Sequence, residues 1–422
     1  MTQLQSHKNN AQENHLAKRV LQLLSQKPLW TGSGIALDAL VRNAARAGWE
    51  QCVVCGLSPE DPAPQVGDLP ADRIHPLVFG RDALPFTLPG MSDVMPYPSS
   101  RFSELTDDEI AAYCDAWRTH IAQVVREFQP DVIHSHHIWL MSSLVKDVAP
   151  NTPVVTHSHG TGLRQLTLSP RARSQVKAGC ARNDAFLLLH HGQQETVREE
   201  LGVPDEKLFV IGNGFREEVF HSRGRLPSPG PVVTYAGKLS DAKGVPWLLD
   251  AANRLAGQIP GFRLHIAGAG AGPEAEAIRT RMKAANHVTF HGQLTAEKLA
   301  DLLRQSATFV LPSFFEGLPL VLVEAAACGC RLVATALPGV VNQLQPALGD
   351  QLDLVPLPRL RNLDQPVEED LPQFVDQLTT ALAASLSKPQ LETGEHQVAQ
   401  FTWSAIFREV ETIWWDLIDG ES

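Results

Sequence analysis

A chain of 422 residues exceeds what one hydrophobic core usually supports, so two or three domains are expected. The formal charge of −11 argues against bulk attraction to nucleic acid or to an anionic membrane surface, leaving only local contacts such as peripheral membrane association open. No apolar run reaches the about 18 residues that cross a bilayer, and six scattered cysteines (Cys52, Cys55, Cys114, Cys180, Cys328, Cys330) make no disulfide framework, so a soluble cytoplasmic protein with core thiols is expected.

In chain order, residues 1–17 are polar, lack the apolar segment of a signal peptide and are read as a disordered tail. Apolar runs of strand length then alternate with amphipathic segments, the pattern of βα units on a parallel sheet. Val20–Leu24 reads as a strand, Ile35–Ala47 as a helix and Gln51–Gly56 as the next strand. The segments 131–134, 153–156 and 184–189 continue the series. Between them, Pro59–Pro98, rich in Pro, Gly and Asp, reads as an insertion over a cleft, the kind of loop that carries specificity. Lys207–Ile211 leads to the turn Gly212-Asn213-Gly214, and Pro227–Pro231 reads as a linker. A second series follows, with strands at 232–236, 263–267, 288–290, 308–311 and 331–334, and helices at 245–255 and 320–328. Trp403–Ile418 has helical periodicity. The expected fold class is therefore α/β, two doubly wound Rossmann-like domains facing a cleft. Residues 18–214 with 402–422 would form the first domain, and 215–401 the second.

One segment concentrates the chemistry. In Pro312-Ser-Phe-Phe-Glu316-Gly317-Leu318-Pro319-Leu320-Val-Leu-Val-Glu324, a strand ends and a helix begins, which places Glu316 at the carboxyl edge of the sheet where open α/β folds bind ligands. The helix start offers backbone amides and the positive end of the dipole to an anion such as a diphosphate. Glu316 offers acceptors to sugar hydroxyls, and Glu324 to ribose hydroxyls. Gly237-Lys238-Leu-Ser-Asp-Ala-Lys243-Gly244 also joins strand to helix and sets two lysines where they can neutralise a leaving phosphate. Two exposed lysines in a polar turn is the alternative. Gly268-Ala-Gly270 and Gly292-Gln-Leu294 end strands where a nucleobase could approach the backbone, although tight turns alone would also explain them.

In the first half, Trp30-Thr-Gly32-Ser-Gly34-Ile35 could cradle phosphate or acceptor at a helix start. It lacks the third glycine and distant acid of the dinucleotide fingerprint, which disfavours a dehydrogenase. His134-Ser-His136-His137 and His157-Ser-His159-Gly-Thr161 gather imidazoles at two strand ends. They can be hydrogen-bonded structural histidines or, as in metal-dependent hydrolases, ligands; no carboxylate companion follows, so no metal is assigned. Arg171, Arg173, Lys177 and Arg182, just after Arg164, form either a solvated helix face or a site for an anionic acceptor.

With these motifs in hand, the chain from Val20 to Trp415 resembles the retaining GT-B-fold enzymes of glycosyltransferase family 4. Glu316 to Glu324 is similar to that family's paired-glutamate motif, Gly237-Lys238 and Lys243-Gly244 to its diphosphate-binding basic pair, and Ile211–Gly214 to its hinge. The resemblance implies a nucleotide-sugar co-substrate, UDP by family frequency, with no metal or other cofactor. It implies His159 as the active-site histidine, with Glu316 and Lys243 beside it. Gly34, Lys238, Gly270, Leu294, Gly317, Leu318, Pro319, Leu320 and Glu324 would bind donor, and Gly32, His136 and Arg164 would lie on the acceptor side. The terminal helix near Trp403 would return to the first domain. Lys238 stands where the family usually has arginine, and Leu318-Pro319 and Pro338-Gly339 depart from its pattern. The rival readings are a sugar-nucleotide epimerase or hydrolase on the same architecture, a metal-dependent hydrolase built on the histidines, and a non-catalytic nucleotide-sugar binder.

Overall fold

The computed structural model describes residues 17–81, 84–92, 95–316, 318–362, 364–389 and 395–420. The expected disordered tail therefore lies, but for Ala17, outside the described residues, and so does Gly317.

Two large sheets carry the fold. The first contains β1 (Arg19–Leu24), β2 (Glu50–Leu57), β3 (Ile74–Val78), β4 (Val132–His136), β5 (Val154–His157), β6 (Ala185–Leu188) and β7 (Leu208–Val210), in the order β3-β2-β1-β4-β5-β6-β7. The second contains β8 (Val232–Ala236), β9 (Arg263–Ala267), β10 (Val288–Gly292), β11 (Thr308–Leu311), β12 (Arg331–Thr335) and β13 (Leu352–Val355), in the order β10-β9-β8-β11-β12-β13. Both follow the doubly wound order, in which the chain reverses its direction of travel beside the first strand. The switch points lie between β1 and β4 and between β8 and β11. β1, β8 and β11 are almost wholly buried, as strands covered by helices on both faces must be, and this is why they read as continuous apolar runs.

By internal contacts the chain divides into two compact units: Met1–Phe186 with Glu200–Lys207 and Ile413–Ser422, and Leu187–Glu199 with Leu208–Thr412. The division falls inside β6. In the first unit, Trp414 near the end of the helix Trp403–Asp419 packs edge-on against Trp49 at 5.0 Å and donates from Nε1 to His134 Nδ1 at 3.2 Å. In the second, Trp403 at its start lies where a Cβ on Gly214 would sit, 2.5 Å from the indole. The division also falls inside this helix, between Thr412 and Ile413.

The structure corrects the sequence reading in the stretch Pro59–Pro98. It is not wholly an insertion, because Ile74–Val78 forms the edge strand β3, parallel to β2. Pro76 hid it; an edge position tolerates proline, since one side of the strand needs no partner for its missing amide hydrogen. Further elements also went unread. The helix Asp107–Phe128 opens with a full capping box between Thr106 and Glu109, and β13 lies in the proline-rich approach to the helix Leu371–Ser387. All six cysteines are buried and free; burial pushes the thiols of Cys55 and Cys180 up to about 12, which leaves them inert.

Candidate functional site

In the second unit, the loops that follow β8 and β11 meet at the switch point. Lys243 Nζ lies 2.7 Å from Glu316 Oε1 and donates to the Phe315 carbonyl at 3.2 Å, while Ser313 Oγ donates to the same glutamate oxygen at 2.8 Å. The two loops are also locked through the backbone, Phe314 N donating to Ala242 O at 2.9 Å. Gly244 makes the approach possible. Its φ is +69°, and a Cβ there would stand 2.1 Å from the Pro312 carbonyl oxygen. The lysine and glutamate read from separate motifs thus form one part-buried ion pair.

Behind it the strand ends are stitched in series: Gly237 N donates to Ala267 O, Leu239 N to Ala269 O and Gly268 N to Gly292 O, at 2.7–3.0 Å. Glycine at 268 is a steric requirement, with φ +140° and the Gly237 carbonyl oxygen 1.8 Å from an added Cβ. Gly270 similarly faces the Leu239 carbonyl at 2.8 Å. Leu294 and Leu318 are part-buried and pack on the core.

Not every expected donor contact converges. Lys238 is exposed and opens on a cavity of about 510 Å³ lined also by Ser240, Trp247, Glu274 and Arg361. Glu316 lines a different cavity of about 620 Å³, with Phe314, Phe315, Leu337, Pro338 and Asn342. At the start of the helix Leu320–Ala327, Pro319 has no amide hydrogen and the Leu320 amide is bonded to the Leu318 carbonyl at 3.0 Å, so those two positions add little for an anion. Glu324, on the same helix, is part-buried; desolvation pushes its carboxyl up to about 7, with Arg216 opposing. Sequence reasoning also missed a stacked pair, His265 and His291, joined at 2.7 Å. His265 pairs with Thr289, and His291 is the residue left without a ladder partner where the register shifts between Ile266 and Ala267; such an irregularity leaves no periodicity to read.

The raised carboxyl of Glu324 gives a pH dependence. Its folded-state value lies above the unfolded one, so the fold binds this proton between about pH 4.5 and 7 and loses stability as pH rises through that window. Hydroxyls donating to Glu324 would favour the carboxylate, so donor affinity should rise with pH up to about 7 and then level, by at most about tenfold per unit. Isothermal titration between pH 5.5 and 8 checks this, and in Glu324→Gln the rise should vanish.

In the first unit, His134 and His136 share one face of β4 because side chains alternate along a strand. The register pairs His136 with His157 of β5, which adds a third ring to that face. His159 stacks on His157 at 4.5 Å, and its Nε2 lies 2.8 Å from His136 Nδ1. Burial holds His134, His136 and His159 well below the usual imidazole range and pushes His137 and His157 down to about 3, with repulsion from neighbouring rings adding to it for all but His157. The cluster is therefore neutral. His136 is 1% exposed, so the expected acceptor contact from it is corrected to support of His159 from beneath. Ligand atoms of His134, His136 and His157 lie within 4.8 Å of one another, close enough to consider a metal. The rings of His136 and His157 are stacked 21° from parallel, however, so their in-plane lone pairs run side by side instead of converging.

Arg164 is exposed on the helix Thr161–Leu168. The basic run after it is largely paired: Arg173 and Lys177 share Glu200, Arg182 shares Asp147 with Arg118, and Arg171 lies 3.7 Å from Asp107. This is the solvated-face reading, and it withdraws most of the charge proposed for an anionic acceptor. Gly32 is exposed with open space around it, whereas Gly34 is buried and its amide donates to the Thr31 cap at 3.3 Å.

Comparison with known proteins now defines the class. Residues 31–214 match the family model "Glycosyl transferase 4-like domain", and residues 230–352 match "Glycosyl transferases group 1". The chain belongs to the GT-B glycosyltransferases, in the group resembling family 4. It is 29% identical over 276 residues to the glycogen synthase of Mycobacterium tuberculosis, a match covering 63% of this chain and 62% of that protein. It is 24% identical over 302 residues to the N-acetyl-alpha-D-glucosaminyl L-malate synthase of Bacillus anthracis, covering 67% and 76%. The match thus spans somewhat under two thirds of the glycogen synthase. Among solved structures, sucrose-phosphate synthase from Thermosynechococcus elongatus superimposes with a TM-score of 0.67 at 20% identity, over 96% of this chain and 100% of that one. Anabaena HepE in complex with UDP and glucose gives 0.56 at 17% identity, over 93% and 98%. At these identities the structures speak for the fold alone. Among the described residues, no helix is long and apolar enough to cross a membrane.

Proposed function

We propose that this protein is a retaining glycosyltransferase that moves a sugar from a nucleotide-sugar donor, UDP-linked, to a hydroxyl of its acceptor without a metal. The observation that carries the reading is the ion pair Lys243–Glu316, built from two loops at the switch point of the second sheet. With donor bound, Lys243 turns from the carboxylate to the β-phosphate and offsets the charge that grows there as the bond from the anomeric carbon to the phosphate oxygen breaks. Glu316, released, accepts from sugar hydroxyls and fixes the ring. The acceptor oxygen bonds to the anomeric carbon on the face the diphosphate leaves, and its proton passes to the departing phosphate oxygen. His159, neutral and held through Nε2 by His136, keeps Nδ1 for a sugar hydroxyl. The UDP assignment draws on the HepE complex with UDP and on the UDP-forming trehalose-phosphate synthase of Burkholderia vietnamiensis, both likenesses of fold.

The test is turnover of nucleotide sugars in the presence of excess EDTA, with the anomeric configuration of the product read by NMR. An α-linked donor should give an α-linked product at an unchanged rate. Inversion, or loss of turnover to the chelator, contradicts the proposal; nucleotide release without any acceptor product points to the hydrolase alternative.

A further inference from the structure

The switch point of the first sheet lies between β1 and β4, and the loop leaving β1 there is unusual in three ways. Leu29 and Trp30 at its tip, with Ile35 on the helix Gly32–Arg46, are 48%, 53% and 45% exposed. Leu29 has φ +66°, a left-handed conformation that costs a branched residue about 1 kcal/mol or more and points to a functional demand. The loop is nonetheless held firmly. The Trp30 ring meets Tyr97 edge-on at 5.9 Å, and Lys27 Nζ lies over both rings, 5.9 Å from the indole and 4.8 Å from the phenol. Lys27 is itself 3% exposed and paired with Asp61 at 2.7 Å. Gly34 completes the support from below, since a Cβ there would stand 2.6 Å from the Leu29 amide nitrogen.

From these observations we infer that the Trp30 indole is a stacking platform for a pyranose ring of the acceptor, which makes the acceptor a carbohydrate. The inference rests on the glycosyltransferase reading. A sugar ring has an apolar face of axial C–H groups and a polar rim, and a rigid indole recognises such a face at low entropic cost. On the polar rim, the half-buried hydroxyl of Thr31 stands next to Trp30 in the chain, whereas Ser33 is buried and bonded to Gln26. The position fits, because ligands of doubly wound sheets bind at the switch point. Charge argues against a lipid surface as occupant. Such surfaces select basic flanks, and the cation under this ring is buried and neutralised by Asp61.

The test is saturation-transfer NMR of the full chain with maltose, lactose, sucrose and chitobiose at millimolar concentration. At least one disaccharide should receive saturation on the ring protons of its apolar face. The signal should fall at least tenfold in Trp30→Ala and persist in Trp30→Phe, with circular dichroism melting showing both variants folded. No saturation in the wild type, or equal saturation in Trp30→Ala, overturns the inference. So does sedimentation of the wild type, but not of Trp30→Ala, with phosphatidylglycerol vesicles, which would give the patch to a membrane. The rise in Tm on adding UDP-glucose is read on the same wild-type sample; its absence would strike the donor reading and leave disaccharide binding at Trp30 to be judged by itself.

Discussion

Replacing Lys243 by alanine is expected to lower kcat by about 10²–10³-fold, the loss typical of removing one preorganised group that meets transition-state charge. Glu316→Ala should cost a similar factor through misplacement of the sugar. The informative result is the double variant. In the donor complex Lys243 would hold the diphosphate and Glu316 the sugar of one molecule, so loss of either grip already loosens the geometry on which the other acts, and the combined loss should fall well short of the product of the two. Initial-rate kinetics on the three variants measures this. Strictly multiplicative losses would mean that the two groups act on the donor independently, and unchanged kcat in either single variant would remove that residue from the chemistry.

The second large effect is structural. Gly268→Ala should destabilise the second unit by about 3 kcal/mol or more, because the new methyl would meet the Gly237 carbonyl oxygen at 1.8 Å in a backbone conformation that L-residues avoid. At roughly 2–4 °C per kcal/mol for a unit of this size, Tm should drop by about 6–12 °C. Gly32→Ala is the matched control, since nothing lies within 4 Å of its Cβ and φ is not strained; a change within about 0.5 kcal/mol is expected. Differential scanning calorimetry distinguishes them, and equal melting of the two variants would show that the stitched loops after β8, β9 and β10 do not bear on stability.

Much of this architecture is legible in the sequence because parallel strands announce themselves as short apolar runs. β1, β2, β8, β9 and β11 lie where those runs lie, and the motifs around Lys243 and Glu316 stand in the loops that follow them. What escaped has physical reasons. β3 carries Pro76 and sits at an edge, so its pattern is neither continuous nor alternating. The side-chain pairing of Lys243 with Glu316 joins residues 73 positions apart, and no local spacing encodes that contact. The neutral state of the histidine stack depends on burial and on the register that sets His136 beside His157; the motif shows the rings but not how they face each other. Likewise the sequence leaves the basic run from Arg171 to Arg182 open between a solvated face and an anion site, because its carboxylate partners, Asp107, Asp147 and Glu200, come from elsewhere in the chain.

Both switch points carry built features, the ion pair on the second sheet and the strained aromatic platform on the first. Pairing across two loops explains why Lys243 and Glu316 are poised without ligand, and why a diphosphate would compete with the carboxylate for the lysine.

That competition gives the most direct measurement. Wild-type protein and Lys243→Ala are melted with UDP-glucose, UDP-N-acetylglucosamine, ADP-glucose and GDP-mannose, each over a concentration series. At one hundred times Kd a donor that binds the native state contributes about 2.7 kcal/mol. This predicts a rise in wild-type Tm of about 5–11 °C with a UDP-sugar and little or none in the variant. No rise with any donor, or an equal rise in Lys243→Ala, would contradict the account.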